Sequence, residues 1–353
     1  MPLDVSVDGV RYVEGVDITP EQLLHALARG AKVTTSQPPP SSFAAAYERA
    51  AAQGAREIVS VHLSGEMSGT VRSARTAATV SPVPVRVVDS RTAALGLGFA
   101  ALAAARCART PLDVTRLGDP RVVRDVREGA SVRDVRPVAG GTTARGAVAD
   151  DDGGGDDPAS LTSGEGGGRA SAGDHGARAA AFGDGVRRWV ARAVAGRAHR
   201  GTHAEPVWPD ADDVAAAALA GAESSRVWFL VDSLEHLRRG GRLGTAAAAI
   251  GTVLGLRPIL SVQDGRLVVA EKVRTRRAAR ERLEQLALAD LAGRTSARVG
   301  VHHVGPSDVA EQVAQRIAAQ ADVPLPELLV ADAGAVLAAH VGPGLLAVVV
   351  TDA

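Results

Sequence analysis

Four short stretches carry side chains whose type and spacing could do chemistry. The first, Val33-Thr34-Thr35-Ser36-Gln37-Pro38-Pro39-Pro40-Ser41, sets three hydroxyls and an amide ahead of a proline run that fixes the backbone in an extended or turn form. Ser41 or Ser42 can cap the helix expected at Phe43–Gln53, so capping does not require Thr34 or Thr35, which are left to contact something else. The second, Ser64-Gly65-Glu66-Met67-Ser68-Gly69-Thr70, joins a buried-type strand (Glu57–Leu63) to a helix (Val71–Thr79), placing hydroxyls and free backbone N–H groups at a helix start, where anions bind. It lacks the spaced glycines and the Lys-Ser/Thr pair of a phosphate loop, so one carboxylate fits it better than a nucleotide. The third, Arg238-Arg239-Gly240-Gly241-Arg242-Leu243-Gly244, is a tight cationic turn. Its arginine forks suit a carboxylate or phosphate, and its glycines permit close backbone approach. A packed strand–helix unit with a solvated basic turn explains that turn equally well. The fourth is His340, heading Val341-Gly342-Pro343-Gly344; it reads as an exposed loop histidine able to cap, to bond internally or to donate to an anion.

Most other chemistries find no residues. Cys107 is the sole cysteine, so no internal disulfide and no cysteine metal cluster can form, and its Ala-rich setting suggests a buried thiol. Ser68 and His340 have no acidic partner or oxyanion motif at a recognisable spacing. The formal net charge of +0 argues against a nucleic acid partner. The segment Met-Pro-Leu-Asp-Val has neither the charge nor the apolar run of a signal peptide, and no apolar run approaches the ~20 residues of a membrane span. A cytoplasmic protein is expected.

The elements that must position these residues follow an α/β grammar. A strand pair turns at Asp8-Gly9, a helix starts at Thr19-Pro20, and strands at 57–63 and 83–88 alternate with helices at 71–79 and 92–109. That alternation predicts a largely parallel sheet. Between about 110 and 209 the grammar lapses into Gly-, Asp- and Ser-rich text, which reads as a largely disordered insertion. It holds a valine-rich basic island (122–138) and a basic amphipathic helix (186–200), read as a surface helix that could also touch anionic lipid. Order resumes with a helix at 210–221, a strand at 227–231, the Gly-Arg turn, and an Ala-rich helix at 245–254. A strand at 259–262 follows, then a hairpin at Asp264-Gly265, a helix at 276–291 and a closing buried strand at 345–350.

Taken in order, these motifs resemble the DegV family of bacterial fatty-acid-binding proteins, which includes the acyl-binding subunit of fatty acid kinase. The resemblance rests on Thr35-Ser36-Gln37-Pro38, Ser68-Gly69-Thr70, Asp232-Ser233-Leu234-Glu235 with Gly240-Gly241-Arg242-Leu243, Arg257-Pro258-Ile259-Leu260, Asp264-Gly265, Val273-Arg274 and His340-Val341-Gly342-Pro343-Gly344. Each is weak alone, and together they cover residues 1–109 and 210–353. The resemblance implies two α/β lobes, 1–109 with a mainly parallel sheet and 210–353, holding one long-chain fatty acid between them, with 110–209 inserted. It implies a carboxylate held at Thr35, Ser68 and Gly69, with His340 and Arg242 around the head group, and Ile250, Leu254 and Leu256 as tunnel wall. No cofactor and no catalysis are implied. The carrier would present its ligand to a separate ATP-dependent kinase subunit that makes an acyl phosphate, without stable membrane insertion. A degenerate lipid-binding regulator or scaffold is the alternative, and a stand-alone Ser/His enzyme is a weaker one. Three departures bear on this. The family opens with a strand ending Thr-Asp-Ser ahead of the segment seen here from Leu3, so either an upstream start or a first sheet short of one strand is expected. Gly65 and Val341 stand where the family has hydroxyl residues.

Overall fold

The computed structural model describes residues 3–112, 206–243 and 257–353. Residues Met1–Pro111 and Trp208–Ala353 form one compact unit, to which all the elements below belong. The chain opens with β1 (Asp4–Val7) and β2 (Val10–Val13), an antiparallel hairpin. Asp8 and Gly9 both have positive φ (51° and 88°), the pair a two-residue hairpin turn needs. Helix α1 (Pro20–Ala28) starts on a capping box between Thr19 and Gln22, with Pro20 in the first turn.

Val33–Ser36, read from sequence only as extended or turn backbone ahead of the prolines, is a strand, β3, pairing antiparallel with β1. Its pleat turns Thr35 inward and Thr34 and Ser36 outward. Helix α2 (Pro40–Ala52) is entered through Pro39 without any side-chain cap, so neither Ser41 nor Ser42 plays the expected role. Next come β4 (Ile58–His62), α3 (Thr70–Ala78), β5 (Val85–Asp89) and α4 (Leu95–Arg109).

The mainly parallel N-terminal sheet expected from sequence does not occur among the described residues. This part holds an antiparallel sheet ordered β2-β1-β3 and a separate parallel pair β4-β5. The physical reason is connection length. The two-residue turn at Asp8-Gly9 permits only antiparallel pairing, whereas the α3 crossover between β4 and β5 permits a parallel one.

The C-terminal elements are α5 (Ala211–Ser224), β6 (Arg226–Leu230), the short α6 (Glu235–Arg239), and the hairpin β7 (Arg257–Gln263) and β8 (Arg266–Val273). They continue with α7 (Arg276–Leu291), β9 (Ala297–His303), α8 (Asp308–Gln320), β10 (Glu327–Asp332), α9 (Gly334–Val341) and β11 (Leu346–Asp352). The six strands form one mixed sheet ordered β10-β9-β11-β6-β7-β8, parallel only between β10 and β9. β11 is buried from Leu346 to Val350, and its alternate residues serve two cores. Ala347 and Val349 join Phe229, Leu237 and Ala338 on one face; Leu346, Val348 and Val350 join Leu283, Val313 and Ile317 on the other. Helices α4 and α5, which flank residues 110–210, pack so closely that a Cβ on Gly221 would lie 3.0 Å from the Ala103 methyl.

Candidate functional site

A cavity of about 400 Å³ opens where β3, the 63–68 segment, the Gly-Arg turn and α9 converge over one face of the six-stranded sheet. Thr35, Ser68, Arg242 and His340, predicted from sequence, all line it. The size lies within the ~300–1,000 Å³ usual for small-molecule sites.

Thr35 Oγ1 and His340 Nε2 are 2.8 Å apart, a hydrogen bond that ties β3 to α9. The expectation of an exposed loop histidine fails. Apolar residues carry α9 on through Val341, so His340 sits in its last turn, and Gly342 (φ 73°) ends the helix. Burial, reinforced by the nearby Arg242 charge, pushes the His340 pKa down to about 4, so its ring is neutral at neutral pH. The ring lies against Gly240, where a Cβ would stand 2.7 Å from Nδ1. Glycine in the Gly-Gly-Arg turn thus makes room for the histidine. Arg242 reaches across to the Ser68 segment, its Nε donating to the Met67 carbonyl at 3.1 Å, and its Nη1 also donates to the Gly240 carbonyl.

Ser68 accepts the Thr70 N–H at 3.4 Å, which leaves the hydroxyl proton of Ser68 for another acceptor. The loop is fastened from both sides. Ser64 Oγ, fully buried, donates to the Gly265 carbonyl at 2.7 Å, and the Ser68 N–H donates to the Ser64 carbonyl. Gly69 does not line the cavity. It lies under the Gln37 side chain, into which any Cβ would collide. The substitutions at Gly65 and Val341 also find physical reasons. A Cβ on Gly65 would come 2.8 Å from Asp89 Oδ2, and Asp89 Oδ1 accepts the Gly65 N–H at 3.1 Å. Val341 extends the apolar lining.

The wall comes mainly from Val227, Phe229, Leu237, Val262, Leu267 and Leu345, most of them residues of the sheet that sequence reading treated only as core. Their apolar character was legible, but a continuous apolar run such as Val227–Val231 cannot say which face meets a ligand and which a helix. Ile250, Leu254 and Leu256, expected as tunnel wall, lie outside the described residues, as do the islands at 122–138 and 186–200. His302 was missed entirely. It lines the cavity, its Nε2 accepts the Leu95 N–H at 3.0 Å, and so Nδ1 carries the proton donated to the Ala331 carbonyl at 3.1 Å. Burial lowers its pKa, keeping the ring neutral. Beside it Ala94 adopts φ 55° and ψ −137°, a conformation costly for a residue with a Cβ, and α4 starts there instead of at Thr92.

No group of histidine, cysteine or carboxylate residues suited to a metal occurs among the described residues, and no helix among them is long and apolar enough to cross a membrane.

Comparison with known proteins supports the resemblance. The sequence model of the DegV family, described as "Uncharacterised protein, DegV family", matches residues 1–116 and 209–353. A DegV domain-containing protein of Streptomyces coelicolor is 34% identical over 353 residues, spanning 100% of this chain and 90% of that protein. One from Mycobacterium tuberculosis is 31% identical over 355 residues, spanning 99% and 88%. Among solved structures, a fatty-acid-binding DegV family protein from Thermus thermophilus aligns over 100% of this chain and 91% of its own, with a TM-score of 0.63 and 27% identity. DegV of Bacillus subtilis, described as a fatty acid binding protein, aligns over the same shares with a TM-score of 0.60 and 22% identity, a likeness of fold. The chain belongs to the DegV family.

Proposed function

We propose that this protein binds one long-chain fatty acid in the 400 Å³ cavity and presents its carboxylate to a separate ATP-dependent fatty acid kinase, doing no chemistry itself. The observation that carries the binding reading is the make-up of the lining. The hydroxyls of Thr35 and Ser68 and the neutral His340, hydrogen-bonded to Thr35, line the cavity together with a larger number of aliphatic and aromatic side chains. An acyl tail of ~15 methylenes at ~0.8 kcal/mol each would gain ~12 kcal/mol gross, before the cost of ordering it. Thr35 and Ser68 are the carboxylate donors. When His340 holds its proton on Nε2 it donates to Thr35, and the Thr35 proton is then free for the ligand. Arg242 stands at the head-group end, its guanidinium already held by two backbone carbonyls, as charge surrounding the site instead of a direct ligand. Gly69 contributes by giving Gln37 its place.

The carrier reading is supported over a Ser/His enzyme by the bonding of His340. Its side-chain partner is Thr35, and no hydrogen bond joins it to Ser68 among the described residues. The domain division at 1–109, 110–209 and 210–353 belongs to this reading, with the two outer segments supplying the polar end and most of the wall. Native mass spectrometry of protein purified from bacteria tests the binding claim. A co-purifying acid of roughly 14–18 carbons is expected; repeatedly empty protein that takes up no added fatty acid would refute it.

A further inference from the structure

A second cavity, of about 310 Å³, lies where β6, β7 and β11 meet the first turns of α7 and α8. Leu345 lines both cavities, but no other lining residue is common to them. The lining of the second includes Leu230 and Leu346, which belong to the core on the α7–α8 face of the sheet, whereas the first cavity is walled by Phe229 and Ala347 from the opposite face. Three guanidiniums line it: Arg257 from the start of β7, and Arg276 and Arg280, one turn apart on α7. Asp232 is the single carboxylate among the lining residues. It meets Arg276 at 2.9 Å and Arg257 at 3.9 Å, and the Arg257 guanidinium also donates to the Asp232 carbonyl at 3.0 Å. Arg280 has no ion-pair or hydrogen-bond partner among the described residues. Three positive charges against one negative leave a surplus of two, arranged around a floor that contains Leu24, Ala279 and Val309.

The three guanidiniums surround one concavity, and Asp232 holds two of them in place: its carboxylate is itself wedged against Gly344, where a Cβ would come within 2.5 Å of Oδ2. Arginine forks recognise carboxylate and phosphate, and a phosphate monoester carries close to two negative charges at neutral pH. The charge surplus therefore matches a phosphate better than a single carboxylate, and the apolar floor suits a short hydrocarbon substituent on it. We propose that the cavity bounded by Arg257, Arg276 and Arg280 is a second binding site, for a phosphomonoester group bearing an apolar substituent, either as a free metabolite-sized ester or as the head group of an anionic lipid.

Calorimetric titration of the full-length protein with inorganic phosphate and with butyl phosphate tests this, beside flotation with phosphatidylcholine vesicles lacking or containing phosphatidic acid. Arg280→Ala and Arg280→Glu remove the guanidinium that has no ion pair among the described residues and should leave the thermal midpoint unchanged. Butyl phosphate is expected to bind saturably and more tightly than inorganic phosphate, to weaken about tenfold in Arg280→Ala, and to lose binding in Arg280→Glu. Vesicle binding that needs phosphatidic acid and is competed by butyl phosphate would assign the lipid source; butyl phosphate binding without vesicle binding would assign the soluble one. Absence of saturable binding by both probes, or unchanged affinity in Arg280→Glu, would overturn the proposal. Fatty acid content read on the same samples separates failure of this site from failure of the first cavity.

Discussion

Thr35 and Phe229 face the same cavity from very different supports. Thr35 comes from β3, a four-residue edge strand whose alternate side chains are exposed, and it is held across the cavity by one hydrogen bond to His340. Phe229 comes from β6, an interior strand of a six-stranded sheet, and is 5% exposed. The polar end is thus assembled from short elements joined by side-chain hydrogen bonds, while the wall is part of the core. Substitutions in the wall should therefore change stability first and binding with it. Substitutions at the polar end should change binding while leaving the fold standing.

The largest expected effect is at the wall. Phe229→Ala should cost about 3–5 kcal/mol of stability, measured by urea denaturation, because it opens a hole in a packed core. A loss below about 1 kcal/mol would mean that the wall is not core, and the contrast would fail. Gly240→Ala comes next. Its methyl would press on His340 Nδ1, and forced repacking of that kind costs about 1–3 kcal/mol. Fatty acid retention should fall with it, read by mass spectrometry of the purified variant. Thr35→Val keeps the shape of the side chain but strips His340 of its partner, which should weaken fatty acid binding by about 1–3 kcal/mol while the circular dichroism spectrum stays that of the wild type.

Acid should act through the same histidine. Burial, with Arg242 adding to it, sets the folded pKa of His340 at about 4 against 6.5 for the free side chain, and burial does the same for His62. Above pH 6.5 both states are neutral and neither histidine makes stability depend on pH. As pH falls from 6.5 towards 4 the unfolded chain takes up protons that the folded one refuses. Each histidine then removes up to about 1.4 kcal/mol of stability per pH unit, and below pH 4 no further loss comes from it. Denaturation of His340→Gln across this range should show a shallower acid limb than the wild type. The smallest effect on binding is expected at Arg242→Ala, which should reduce phosphorylation of the bound acid by the kinase proposed above more than fatty acid retention; equal loss of both would count against its place beside the head group.

What could be read from the sequence follows the same divide. Features that depend on neighbours along the chain were legible: α7 has the bounds Arg276–Leu291 expected from its leucine spacing, and both Asp-Gly turns have the positive φ values that hairpins require. Thr35, Ser68, Arg242 and His340 were legible as a group because their motifs occur together in one family, although no spacing linked them. Features that depend on distant pairing were not. Strand–helix alternation suggested a parallel sheet, but the partner of β3 is β1, and four residues ahead of a proline run carry no signal of that pairing. His302 was invisible because its role, accepting the Leu95 N–H, joins residues 207 positions apart.

The central claim, that the polar end of the cavity selects a carboxylate, is tested most directly by comparing a long-chain fatty acid with the alcohol of the same length. Binding of each should be measured on the wild type and on Thr35→Val/Ser68→Ala. Both ligands bury the same tail, so the difference isolates the head group. The wild type should prefer the acid by at least about tenfold, equivalent to ~1.4 kcal/mol, and the double variant should lose that preference while still binding the alcohol. Equal affinity for acid and alcohol in the wild type, or a preference that survives in the double variant, would contradict it.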